Sequence, residues 1–392
     1  MNSGCPLLLK FFATSTRFVP EKRGESGMMS AVVKQMLRSS SYLSKLFPSA
    51  LFALFLAHAA HAQATLFSFP GVKPADIPQP YRLFIGEYGP EAAAVIVLER
   101  AGHLILHEAD GKELSLQAGG RPGGSFISID ANGGLLPVRF LLDASFHPTS
   151  LSVGEHNWPR RQLGPDEGQV FRIAPARPIA HLRQEALAAT PPREDREFRA
   201  PDLVELALLD SDIHLDIRYA TENDFLGTPV YTQARAFLQR PAAEALLRAL
   251  RRLESYGYGF LIHDAYRPWY VTKIFWDATP PEGKIFVADP SEGSRHNRGC
   301  AVDLTLYDLQ TGKPVEMPGT YDEMSARSFP NYPGGTSLQR WHRDLLRWAM
   351  ESEGFTVYEH EWWHFDFKDW HAYPILNVPF ERLQFEQKMQ AP

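Results

Sequence analysis

Cysteine is scarce in this chain of 392 residues, with only Cys5 and Cys300 present. Cys5 falls in a segment expected to be removed, so no intramolecular disulfide is available and apolar burial has to supply the stability. Positive charge is not in excess either. The 40 Lys and Arg face 46 Asp and Glu with the signs interspersed, for a formal net charge of -6, and this gives no basic patch that would suggest nucleic acid. The one marked apolar run, residues 50–57, is too short for a stable membrane helix. What is plentiful is core material: 44% of the residues are apolar and 12% aromatic, in a chain long enough for two domains.

Residues 1–62 read as a secretory signal, with Met28 and Met29 as alternative starts because the charged region counted from Met1 is long. Lys34, Arg38 and Lys45 precede the apolar run, and Ala60-His61-Ala62 offers small residues at the two positions a signal peptidase reads. Cleavage is expected before Gln63, an uncleaved anchor being the alternative. No cysteine follows the run, which argues against a lipoprotein. The expected location is periplasmic or secreted, with no membrane span after cleavage.

From Tyr81 to about Val153 apolar residues alternate with polar ones between turn signals such as Ala109-Asp110-Gly111 and Asn132-Gly133-Gly134. Short strands at this spacing predict an antiparallel meander or small barrel. Its histidines, His103, His107, His147 and His156, lack ligand spacing and a carboxylate companion. Residues 63–187 are therefore expected to form an all-β accessory domain that either contacts cell wall, substrate or enzyme domain, or is a structural appendage. Residues 188–201, with Pro191-Pro192 and alternating charges, read as a linker.

Residues 202–392 carry the chemistry. Ala301, Asp303 and Thr305 share one face of a predicted strand whose other face is Val302, Leu304 and Leu306. Asn297, Arg298 and Gly299 form a loop that can fold His296 over the carboxylate face. Far downstream stands Glu361-Trp362-Trp363-His364. A histidine, a carboxylate and a second histidine give three N/O ligands, the number a catalytic zinc site takes from the protein. His296, Asp303 and His364 are the candidates, for one Zn²⁺ per chain. Glu361 is the candidate general base, a carboxylate placed to take a proton from the attacking water. Residues three apart on an ideal strand face opposite ways, so Glu361 and His364 can serve one site only if a turn or bulge intervenes. Any one histidine among 14 is more often a core or surface residue than a ligand, but four suitable residues in two compact motifs outweigh that reading.

Elsewhere in this part, residues 203–209 are an expected strand. Pro241 opens a helix with an Ala245, Leu246, Ala249, Leu250, Leu253 stripe, and a second helix carries Leu338, Trp341, Leu345, Trp348 and Ala349 up to Gly354. Cys300 reads as a buried small hydrophobe. The fold expectation is α+β: an antiparallel sheet carrying the zinc site, with helices packed on its other face, preceded by the small all-β domain.

The pattern S-x-H-x-x-G-x-A-x-D followed by E-x-x-H resembles that of the D-alanyl-D-alanine dipeptidases of the vancomycin-resistance type. These are zinc peptidases whose fold is shared with D-Ala-D-Ala carboxypeptidases, lysostaphin-type endopeptidases and the hedgehog signalling domain. The resemblance covers roughly residues 200 to 380. It implies that Arg267, in Asp264-Ala265-Tyr266-Arg267-Pro268, lies beside the metal, where a fixed guanidinium can stabilise a developing oxyanion. On residues alone a surface ion pair is the alternative, and Asp264 is either a partner of the site or a strand-end cap. The resemblance further implies that Ser294 holds the substrate carboxylate and Asp322 its free ammonium. The resistance enzymes are cytoplasmic, so the leader here is a departure that favours turnover of wall fragments over resistance. The implied activity is hydrolysis of D-Ala-D-Ala or a similar short peptide. A D,D-carboxypeptidase or endopeptidase acting on peptidoglycan, and a non-catalytic metal-dependent binding module, are the alternatives.

Overall fold

The computed structural model describes residues 67–119, 124–129, 132–163 and 169–383. The expected signal segment lies outside them. Among the described residues no helix is long and apolar enough to cross a membrane.

The first strands run as a meander in chain order: β1 (Gly86–Tyr88), β2 (Val95–Arg100), β3 (His103–His107), β4 (Glu113–Ala118), β5 (Ser125–Ile129), β6 (Leu135–Leu142), β7 (Pro148–Val153) and β8 (His156–Pro159). Every neighbouring pair is antiparallel. Gly89 N donates to Pro159 O at 2.7 Å and Arg161 N to Glu87 O at 2.8 Å, so the chain leaving β8 bonds back to β1 and the meander curls on itself. The period-two pattern sets the inside. In β4, Leu114 and Leu116 are buried while Glu113, Ser115 and Gln117 are exposed. Phe84, Phe126 and Phe140 meet ring to ring in this core.

The second core lies around a five-stranded sheet of order β10-β12-β13-β15-β14, formed by β10 (Ile213–Leu215), β12 (Tyr258–Asp264), β13 (Ala301–Asp308), β14 (Phe355–Tyr358) and β15 (Glu361–Phe367). It departs from the wholly antiparallel expectation at one edge, where β10 runs parallel to β12. The intervening chain makes a crossover through a helix, and that connection brings a strand back in parallel. Residues 203–209 also differ from expectation. They form a three-residue strand, β9 (Leu203–Glu205), paired with β11 (Phe237–Gln239), and then a 3-10 turn at Leu206–Leu208. The turn sends Leu206 fully into the core and leaves Leu208 61% exposed, which a half-buried strand would not do.

Among the described residues this part has four helices of ten residues or more, α1 (Ile179–Ala188), α2 (Arg240–Glu254), α3 (Trp269–Ala278) and α4 (Ser337–Glu351), of which α1 and α3 pack on each other. Pro241 sits in the first turn of α2, where its missing N–H costs nothing. Thr336 caps α4 in a reciprocal box with Gln339. The apolar stripes of α2 and α4 pack on the sheet as expected. The period-two reading contained no helix at α1. Its Ile179, Leu182 and Ala186 join the second core. Beyond Ala188, the last residue of α1, residues 189–201 carry no helix or strand, yet Glu194 accepts from Arg298 Nη2 at 2.7 Å and from Ile375 N at 2.9 Å, which holds this stretch against the second core's surface.

Candidate active site

Strand register assembles the site. Asp264 of β12 pairs with Asp303 of β13, and Asp303 pairs with His364 of β15, so three polar side chains form one row across the sheet. Their neighbours Val302 and Phe365, one residue over, face the core. His296 reaches the same point from a 3-10 turn, His296–Arg298, that ends at Gly299. Gly299 has φ of 66°, and a Cβ there would come within 2.5 Å of Leu203, so a side chain is excluded twice over.

The ligand atoms converge. His296 Nε2 lies 3.0 Å from His364 Nδ1, and Asp303 Oδ1 lies 3.3 Å from the first and 3.0 Å from the second. The outer nitrogen of each ring already has an acceptor: His296 Nδ1 is 2.6 Å from Ala265 O, and His364 Nε2 is 2.9 Å from Asp366 Oδ1. These partners fix the tautomers and turn both inner lone pairs toward Asp303 Oδ1. That oxygen is buried without a hydrogen-bond donor. Three lone pairs facing one another in a buried site require a cation between them. Ligand atoms on a tetrahedral ion with bonds of ~2.0–2.1 Å lie about 3.3 Å apart, so the residues fit a zinc-sized ion. Burial opposes charge on His364, but the carboxylates of Asp366 and Asp303 outweigh it and raise its pKa to about 10, so a proton on the inner nitrogen and a metal ion compete for the same place. The site thus attracts positive charge at the point where the ligands meet.

Glu361 opens β15, and its Oε2 is 3.7 Å from His364 Nδ1. The required irregularity is there: Val357 pairs with Phe365 but Tyr358 pairs with Glu361, so β15 bulges between them and both side chains reach one side. Burial pushes the Glu361 carboxyl up to about 8; His364 and Arg267 pull it down, and Asp303 adds to the rise. A carboxylate with such raised proton affinity suits proton transfer.

Arg267 is buried, and Asp264 Oδ2 accepts from both its Nε (2.9 Å) and its Nη2 (2.8 Å). Its guanidinium carbon lies 4.8 Å from the centre of the Phe275 ring. Nη2 is 3.8 Å from Asp303 Oδ2. The arginine is a fixed, buried cation beside the ligands, and Asp264 is its partner, further anchored by Tyr231 OH at 2.6 Å.

A cleft of about 710 Å³, counting its open mouth, is lined by Arg267, His296, Asp303, Asp322, Glu361 and His364 among others. Asp322 stands in it with φ of 61°, a backbone state a non-glycine residue holds only when its surroundings enforce it. Its Oδ1 accepts from Tyr219 OH at 3.0 Å; its Oδ2 is shielded from water and unpartnered. Burial, with Asp303 and Glu361 close by, drives its pKa well above the usual carboxyl range. Ser294 also lines the cleft, but its Oγ accepts from His296 N at 3.2 Å and so helps shape the ligand turn.

A family model described as D-ala-D-ala dipeptidase matches residues 199–384. The D-alanyl-D-alanine dipeptidase of Escherichia coli (strain K12) is 35% identical over 179 residues, 46% of this chain and 91% of that protein. Those of Enterococcus faecium and Streptomyces coelicolor (strain ATCC BAA-471 / A3(2) / M145) are each 35% identical, over 43% and 41% of this chain and 92% and 88% of their own lengths. The chain belongs to the D-alanyl-D-alanine dipeptidase family. The family match begins after the β1–β8 meander, which therefore lies outside the shared part.

Within the family domain, several residues around the site went unread in the sequence. Tyr321 OH donates to Asp303 Oδ2 at 3.2 Å, and its ring stacks 4.4 Å from His263. Tyr219 holds Asp322, and Asp366 holds His364. Of these only Asp366 carried a local signal, since residues two apart on a strand share a face.

Proposed function

We propose that this chain is a zinc D,D-dipeptidase that hydrolyses D-alanyl-D-alanine or a similar short peptide derived from the cell wall. The observation that carries the reading is Asp322: a shielded carboxylate with a free oxygen, in the same cleft as three convergent ligands and Glu361. A dipeptide presents an ammonium close to its scissile bond, whereas an acylated or internal peptide presents a neutral amide there. The substrate ammonium supplies the positive charge that the buried Asp322 lacks, so it draws the carboxyl into its ionised form and the resulting charge-assisted hydrogen bond favours the free amine.

Zn²⁺ held by His296, Asp303 and His364 would supply Lewis acidity to the attacking water and the scissile carbonyl. Glu361 takes the proton from that water and passes it to the leaving amine. Arg267, pinned by Asp264 and unable to lose its charge, faces the oxygen on which negative charge develops. Ser294 is assigned to the substrate carboxylate. The D,D-carboxypeptidase or endopeptidase alternative needs no carboxylate at the amino end, so the unpartnered Asp322 oxygen speaks against it. A non-catalytic binding module has no use for Glu361 and Arg267 beside the ligands.

The same proposal has residues 63–187 as an accessory domain, except that α1 at its end belongs to the second core, with 188–201 as a linker and the leader directing export to the periplasm or medium. N-terminal sequencing of the exported protein, expected to begin at Gln63, checks the last point. Activity is tested by offering zinc-loaded protein D-Ala-D-Ala, L-Ala-L-Ala, N-acetyl-D-Ala-D-Ala and muropeptides. Preferred cleavage of the first is expected. Equal cleavage of the acetylated peptide would replace the dipeptidase with the carboxypeptidase.

A further inference from the structure

The β1–β8 meander contains few buried polar side chains. Those among its described residues are Glu87, Glu99 and Ser128, and both carboxylates are at most 3% exposed. Burying a carboxylate costs several kcal/mol unless it is bonded. An appendage with no task beyond its own fold would keep such groups in water. Here each carboxylate takes one partner from its own part of the chain and one from a single segment of the family domain. Tyr332 OH donates to Glu87 Oε1 at 2.9 Å, and Arg161 pairs with the other oxygen. Ser337 N donates to Glu99 Oε2 at 2.6 Å, and Gly102 N to its Oε1 at 2.6 Å. The Glu99 backbone is engaged on both sides: its N–H donates to Gly335 O at 3.1 Å and its carbonyl accepts from Arg340 Nη2 at 2.6 Å. Arg340 Nη1 in turn gathers the carbonyls of Pro333, Gly334 and Gly335.

The other end of that segment meets the stretch just before β1, where Arg82 Nη1 donates to Glu316 Oε2 at 2.6 Å in an exposed pair. Between the two grips run residues 317–331, which carry no strand and a single 3-10 turn, Ala326–Ser328. They include Tyr321, Asp322, Glu323 and Met324. Three of these line the cleft, and Tyr321 bonds the ligand Asp303. A loop with so little secondary structure takes its position from its ends and its side-chain contacts. The positive φ of Asp322 needs that position enforced.

We propose that the meander is a clamp for the substrate loop: Glu87 and Glu99 are positioning residues that hold residues 316–336 so that Asp322 meets the substrate ammonium. This rests on the assignment of Asp322 as the amine-binding group. Specificity for the free amine would then depend on a part of the chain outside the family match.

The test uses the full-length zinc-loaded protein. Tyr332→Phe removes one hydroxyl from the Glu87 contact, and Glu99→Gln puts an amide NH₂ among N–H donors. For each, KM and kcat are measured with D-Ala-D-Ala, and N-acetyl-D-Ala-D-Ala is followed as substrate and as competitive inhibitor. KM for the free dipeptide is expected to rise roughly 3- to 10-fold, the range a lost hydrogen bond gives. Turnover, zinc content and handling of the acetylated peptide should stay within about twofold. An equal loss on both peptides, a fall in kcat alone, or no change overturns the clamp. Should Glu99→Gln fail to fold, the single-hydroxyl variant decides. Asp322→Asn is run in parallel. If it leaves the preference for the free amine unmoved, the amine assignment fails and the clamp with it. If it narrows the preference while Tyr332→Phe does not, the clamp alone is wrong.

Discussion

The two larger sheets handle polar side chains in opposite ways. In the meander, burial alternates along strands such as β4, so polar residues point to water and the inside is apolar. In the five-stranded sheet β13 is buried along nearly its whole length, with helices on one face and the cleft loops on the other. A polar residue there has no solvent to escape to. Yet His263, Asp264, Asp303, Thr305 and His364 all lie buried in this sheet. Each such group costs stability unless partnered, so a buried polar row marks a site, whereas an alternating pattern marks a scaffold. By the same criterion Glu87 and Glu99 are anomalies of the scaffold, and they are its contacts with the cleft loop.

The contrast breaks most sharply at the ligands. His296→Ala, Asp303→Ala or His364→Ala should each abolish stoichiometric zinc, because two remaining ligands rarely hold the ion against buffer. Metal analysis of the three purified variants checks this, and one retained equivalent in all of them would move the site elsewhere. Next in size is Glu361→Gln. It should keep the metal while kcat falls ~10²–10⁴-fold, the usual loss on removing a general base. Normal turnover with zinc bound would shift the proton transfer to another group. His360 is adjacent in sequence, but its ring is engaged with Tyr358 OH at 3.2 Å.

The site was legible where its signal is local. The spacing from His296 to Asp303, strand parity around Asp303 and the need for a bulge before His364 are all contained in short stretches of sequence, and the structure has each feature. The T-x-x-Q capping box before α4 and the shared face of His364 and Asp366 were equally local, though unread. Glu99 was another such signal. It has the parity of Val95 and Val97, so period two already put a carboxylate on the buried face of β2. What could not be read depends on chain segments distant in sequence. Tyr219 and Tyr321 reach Asp322 and Asp303 only after loops meet in space. The parallel β10 edge depends on how a crossover closes, whereas the Ile179, Leu182, Ala186 spacing of α1 was another local signal left unread.

A smaller effect is expected at Asp366, which touches no ligand atom facing the site but fixes the His364 tautomer. Asp366→Asn should weaken zinc binding ~10–100-fold, as the loss of a partner behind a metal-bound histidine does. Competition with a chelator of known affinity measures it, and unchanged affinity would mean that packing alone orients His364.

The smallest effect on chemistry should come from the scaffold core. Leu151 lies on β7 and is fully buried in the apolar core of the meander, whereas Glu87 and Glu99 lie on β1 and β2 and bond the family domain. Leu151→Ala removes apolar contacts and leaves a cavity, so stability should fall by ~2–5 kcal/mol and Tm with it. While the protein remains folded the clamp residues keep their places, so zinc content, kcat and KM for D-Ala-D-Ala should match those of the parent. Thermal melting and steady-state kinetics on one preparation separate the two readouts. If kcat or zinc content dropped at temperatures well below the new Tm, the meander core and the buried polar row would be a single mechanical unit, and the division between scaffold and site would be wrong.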